Sequence, residues 1–100
     1  MPENPLSAMS RIDPEATQRM RSLEDWVFAD GALPRKIKLL MAVAFDAADG
    51  AEAGVGALAR MARDAGATPE EIGEALRVAW LMTGVGSIYT ASAGLRDFNR

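Results

Sequence analysis

The sequence predicts an all-α domain, and three observations predict it. Apolar residues make up 49% of the chain and are mostly Ala, Leu, Val and Met, with only 6% aromatic, a palette suited to closely packed helices rather than strands. Apolar positions recur at three- and four-residue spacing through consecutive segments. Two proline-led capping signals, at Asp13 with Pro14 and at Thr68 with Pro69, mark helix starts.

Residues 1–12 are polar, contain two prolines and are expected as a flexible tail ahead of a single domain over residues 13–100. The first helix opens in "DPEATQRMRSLEDWVFADG", with Asp13 as N-cap, Pro14 in the first position and Gly31 as the exit residue. Met20, Leu23, Trp26 and Val27 give it one apolar stripe. Leu33 and Pro34 begin "LPRKIKLLMAVAFDAADG", where Ile37, Leu40, Met41, Ala44 and Phe45 follow the helical period until Gly50 stops it. This helix is apolar nearly all round from Leu39 to Phe45, which predicts burial on several sides by neighbouring helices or a second subunit.

A third helix is expected over residues 51–65, with Val55, Leu58, Ala59 and Ala62 on one face and Arg60, Arg63 and Asp64 on the other. "ATPEEI" then supplies a capping box, Thr68 with Glu71 three residues on, to open a fourth helix. Its expected buried stripe is Ile72, Ala75, Leu76, Ala79 and Thr83. Gly84 and Gly86 in "TGVGS" break the chain before a last helix near residues 87–98. About five helices result.

Composition excludes several function classes. Eleven Lys and Arg against fourteen Asp and Glu give a net charge of −3 without a basic cluster, so nucleic acid is not an expected partner. No apolar run of about eighteen residues and no signal-like N-terminus occur, so no membrane association and a cytoplasmic location are expected. With no Cys and no His, thiol redox chemistry, Ser-His or Cys-His nucleophilic pairs and ordinary zinc sites are ruled out. No cofactor motif and no metal-ligand cluster is evident. A chain of 100 residues also buries only a modest core, and assembly into an oligomer would add to it.

The order of an apolar helix ending in "DG", the linked "AGATPEEIGEAL" and the glycine-containing "MTGVGSIYTA" resembles the carboxymuconolactone decarboxylase and alkylhydroperoxidase D-like (AhpD-like) superfamily, over residues 33–95. The resemblance implies an AhpD-like helical fold and a homo-oligomer, a trimer or a hexamer of three dimers. In the redox-active branch it would place a Cys-x-x-Cys pair, a His one turn later and a Glu on the preceding helix. Those places hold Ala51, Gly54, Leu58 and Leu39 here. Neither the thiolate nor the groups that move its proton are present, so thiol peroxidase chemistry is excluded. A decarboxylase-like activity would need cations to hold acid groups of a substrate, and Arg35, Lys36 and Lys38 qualify by type.

Asp46 is the most unusual side chain, a lone carboxylate in "MAVAFDAA" seven residues after Leu39 and so on roughly the same face. Burial there would raise its pKa and suit it to acid-base work; the simpler reading is a helix-end charge that pairs with an arginine or with water. Tyr89 is a candidate hydrogen-bond donor to a ligand, against the simpler reading of a buried ring whose hydroxyl meets a carbonyl. Thr83, Ser87 and Thr90 are hydroxyls near the glycine break, and Glu52 is an ordinary first-turn charge. Trp26 and Trp80 suit a core or a subunit contact, and Met41, Met61 and Met82 suit core filling or an adaptable pocket.

Two functions are therefore expected to compete. One is a small acid or lactone bound or converted between helices, as in a lyase, with Asp46 and Tyr89 acting and Leu39, Ala51, Gly54, Leu58 and Thr83 lining the pocket. The other is a non-catalytic oligomeric scaffold or regulatory subunit in which Leu39 and Leu58 fill the ancestral site. An open cavity beside Leu39, Leu58 and Asp46 would favour the first, and packed leucines without one would favour the second.

Overall fold

The computed structural model describes residues 6–98, which form six α-helices and, among those residues, no strand. The additional helix, α1 (Ser7–Ile12), falls in the expected tail. It is one short stretch closed by Ser10 N–H to Leu6 carbonyl and Asp13 N–H to Met9 carbonyl hydrogen bonds of 2.8 and 2.7 Å. It packs on α2 (Pro14–Val27), which starts as the sequence requires: the Asp13 carboxylate accepts from the Ala16 N–H at 3.0 Å, ahead of Pro14 in the first turn. The helix ends at Val27, four residues short of Gly31.

The remaining helices, α3 (Arg35–Asp49), α4 (Glu52–Asp64), α5 (Pro69–Thr83) and α6 (Gly86–Gly94), form the body. Helix α3 lies at its centre, touching α4, α5 and α6. Gly50 closes α3 in the left-handed region at φ 79°, a conformation that favours a residue without Cβ, and the chain turns straight into α4. The capping box of α5 is complete: the Glu71 N–H donates to Thr68 Oγ1 at 3.1 Å and the Thr68 N–H donates to Glu71 Oε1 at 2.9 Å.

Leu39, Val43 and Val55 are fully buried at the centre, surrounded by Leu40, Ala47, Ala59, Ala62, Ile72, Leu76, Ala79, Ala91 and Phe98. The face of α3 that is buried is therefore Leu39, Leu40, Val43 and Ala47, and the expected Met41 and Phe45 point outward. A helix apolar on every side carries no periodic signal to say which side its own chain covers. In α5 the stripe Ile72, Leu76 and Ala79 is buried as expected, while Thr83 is exposed.

The alanines and glycines of α4 bring helix backbones together. A Cβ at Gly56 would stand 2.6 Å from the Gly94 carbonyl oxygen, and one at Gly94 would overlap the Glu52 carbonyl, so α4 and α6 cross where neither can carry a side chain. Helix α6 stops at Gly94, before the expected Phe98, which instead turns back onto α4. There the Arg63 guanidinium lies 5.1 Å from the Phe98 ring centroid and donates to its carbonyl at 3.2 Å. Among the described residues no helix is long and apolar enough to cross a membrane.

Candidate functional site

Asp46 sits in the last turns of α3, one face removed from Phe45, and its carboxylate leans across the start of α4. A Cβ at Gly54 would land on Asp46 Oδ2 and come within 2.9 Å of its Cγ, with the Ala51 Cβ 3.6 Å away. Asp46, Ala51 and Gly54 thus meet, and the carboxylate occupies the volume that any side chain at position 54 would need. Two small residues at the head of α4 are what admit it.

The carboxylate is half-buried and, among the described residues, has no hydrogen bond or ion pair. No arginine pairs with it among those residues. Burial pushes the Asp46 pKa above the usual aspartate value, and the nearby charge of Asp49 pushes it the same way. Leu39 is fully buried in the core and Leu58 packs against that core from the edge. None of the five principal grooves is lined by Leu39, Leu58 or Asp46.

The three cations do not converge on Asp46, because each is engaged elsewhere. Arg35 donates to the Phe28 carbonyl at 3.4 Å, Lys36 pairs with Glu71 at 3.0 Å, and Lys38 donates to the Ala29 carbonyl at 2.7 Å. Tyr89 stands on α6 with 74% of its surface exposed, so its ring is not buried as the simpler reading has it. Thr83 donates to the Ala79 carbonyl one turn back at 2.7 Å, and Ser87, buried, donates to the Gly84 carbonyl at 2.9 Å. Glu52 is an exposed first-turn charge of α4.

A different concavity is open. Between α3 and α5 runs a groove of about 340 Å³ lined by Met41, Ala44, Phe45, Val78, Met82 and Thr83, almost wholly apolar. Of the three methionines that suit core filling or an adaptable pocket, Met41 and Met82 line this groove and Met61 packs against the core. Phe45 and Val78 were not legible as surface residues, since an apolar residue at helical spacing reads as core.

The model of the carboxymuconolactone decarboxylase family matches residues 14–97. Among solved structures the chain is similar to the apo form of a carboxymuconolactone decarboxylase family protein from Legionella pneumophila, at 31% identity and a TM-score of 0.85, over 93% of this chain and 83% of that one. No curated protein matches the chain.

Proposed function

The chain belongs to the carboxymuconolactone decarboxylase family, and from that premise we propose that it is a non-catalytic, oligomeric scaffold or regulatory member whose inherited reaction centre is closed. One observation carries this reading: the Asp46 carboxylate fills the space above Gly54, where the redox-active relatives it resembles would place a thiol. No thiol stands at Ala51 or Gly54 and no imidazole at Leu58, so the chain lacks the thiolate that would attack a peroxide and the imidazole that would move its proton. Leu39, in the place of the carboxylate on the preceding helix, contributes to the core instead. The cations that would have to gather an acidic substrate hold the α2–α3 connection and the foot of α5.

A second reading is favoured by Asp46 itself. A half-buried carboxylate with a raised pKa and no partner retains a proton more readily than an exposed one, which suits it to protonate the carbanion left when a small unsaturated acid or lactone loses carbon dioxide. Thermal unfolding in the presence of small organic acids and lactones separates the two. On the scaffold reading no member of the set raises the midpoint, and Asp46→Asn is as stable as the parent or slightly more so at neutral pH. A compound that raises the midpoint of the parent and not of Asp46→Asn overturns it in favour of the acid-base site, because only a ligand of the native state shifts the midpoint.

A further inference from the structure

We infer that Met82 and Met41, the two methionines of the α3/α5 groove, are sites at which hydroperoxides oxidise the folded chain, and that their sulfoxides turn the groove from an apolar surface into a polar one. The inference stands apart from the catalytic question, since each thioether takes up one oxygen and turns nothing over.

The first ground is the supply of sulfur. Without cysteine, the six thioethers are the sulfur atoms on which an oxidant can act. Their surroundings rank the five that lie among the described residues. Met82 is 74% exposed and Met41 47%, whereas Met61 packs against the core. Met9 and Met20, on the N-terminal arm formed by α1 and α2, are 43% and 38% exposed and supply an internal comparison. An oxidant reaches what solvent reaches, so Met82 is its foremost target.

The second ground is that the reaction needs nothing beyond the peroxide. The Met82 sulfur gives an electron pair to the terminal oxygen of the hydroperoxide, an S–O bond forms as the O–O bond breaks, and the proton on that oxygen passes to the departing one. Sulfur is oxidised by two electrons, and the peroxide is reduced to water or an alcohol.

The third ground is what a sulfoxide does at this place. Met41 and Phe45 stand one turn apart on α3, Val78 and Met82 one turn apart on α5, and these four make the walls of the groove. Thr83 is the one polar residue of the lining, and its hydroxyl already donates to the Ala79 carbonyl at 2.7 Å. A sulfoxide oxygen is an acceptor and meets no free donor there, so water solvates it and whatever covers the groove must strip that water away. Met82, in the last turn of α5, and Met41, on the outward side of α3, are both outside the buried core of Leu39, Val43 and Val55. Their oxidation therefore changes the surface and leaves the fold. Methionine sulfoxide reductases reverse the reaction, which makes the groove's polarity switchable.

The test is oxidation of the whole chain by dilute hydrogen peroxide, stopped with free methionine and followed by mass spectrometry of proteolytic fragments. Each oxidised methionine adds about 16 Da, and Met82 is expected to gain it first, Met41 next and Met61 about tenfold more slowly. Hydrophobic-interaction chromatography of the oxidised protein should show earlier elution with the helical circular dichroism signal unchanged, and a methionine sulfoxide reductase with its reductant should restore the original retention. A Met41→Leu/Met82→Leu chain, a near-isosteric change, should lose most of that shift, and a Met9→Leu/Met20→Leu chain should keep it. Met82 resisting oxidation while the arm methionines react would overturn the inference by showing the groove covered. A shift that follows the arm pair, or one that appears only together with loss of helical signal, would overturn it as well.

Discussion

The arm and the body of this protein both carry apolar stripes at helical spacing and use them in opposite ways. Helices α3 to α6 bury Leu39, Val43 and Val55 completely and bring backbones together at Gly56 and Gly94, so their stability is internal to one chain. Helix α2 has a comparable stripe and buries one threonine. Helix α2 is also the more polar helix, but burial is decided by neighbours: a stripe becomes core only where a second stripe faces it. The difference teaches that exposed apolar residues here are organised surfaces, gathered on α2, α3 and α5, and not scatter.

The sharpest way to break the comparison is to cut each region to alanine. Leu39→Ala should cost about 2–5 kcal/mol in denaturant unfolding, since the cavity it leaves is enclosed on all sides. Leu23→Ala, measured on protein dilute enough to be unassembled, should change stability by less than about 0.5 kcal/mol. Comparable losses from both would show the arm to be part of the core in solution.

Inside the body a smaller effect tests the contact at the head of α4. Glycine to alanine within a helix ordinarily gains about 1 kcal/mol. Gly54→Ala should instead forfeit that gain or lose up to about 1 kcal/mol, because the Asp46 side chain must turn away from the new Cβ. Made in an Asp46→Ala background, the same change should recover its ordinary gain; a loss of equal size in both backgrounds would assign the cost to something other than the carboxylate.

The smallest effects are in pH dependence, and the two perturbed carboxylates have opposite signs. Glu71 is held below the usual glutamate range by the Thr68 N–H and then by Lys36, so it stabilises the fold above its unfolded pKa and that stabilisation is lost as pH falls through the folded one. Asp46 is raised, so its contribution is fully present below its unfolded pKa and is lost as pH rises through the folded value. Midpoints measured between about pH 3 and pH 6 should therefore show Glu71→Gln approaching the parent in acid and falling below it toward neutrality, and Asp46→Asn moving the other way. Profiles parallel to the parent would remove both assignments.

Much of the body was legible from sequence because its signals are local. The capping box at Thr68 and Glu71, the proline at position 14 and the glycine at position 50 each act within one turn, and each stands where it was read. The family order of residues 33–95 carried the fold, and the missing Cys and His carried the exclusion of thiol chemistry. Which side of α3 is buried was not legible, since Met41 and Phe45 differ from Leu40 and Val43 only in what lies opposite them. The helix of residues 7–12 was hidden in a polar stretch too short to show a period. At the site, the spacing put Asp46 on the face of Leu39, while its meeting with Gly54 depends on two helices closing around Gly50, a tertiary fact.

The Asp46–Gly54 contact also bears on redesign. A cysteine placed at position 54 would bring a Cβ onto the Asp46 carboxylate, so that side chain has to turn away or be shortened to admit it. Anyone building a thiol pair on this scaffold therefore has to choose the residue at position 46 together with the sulfur at position 54.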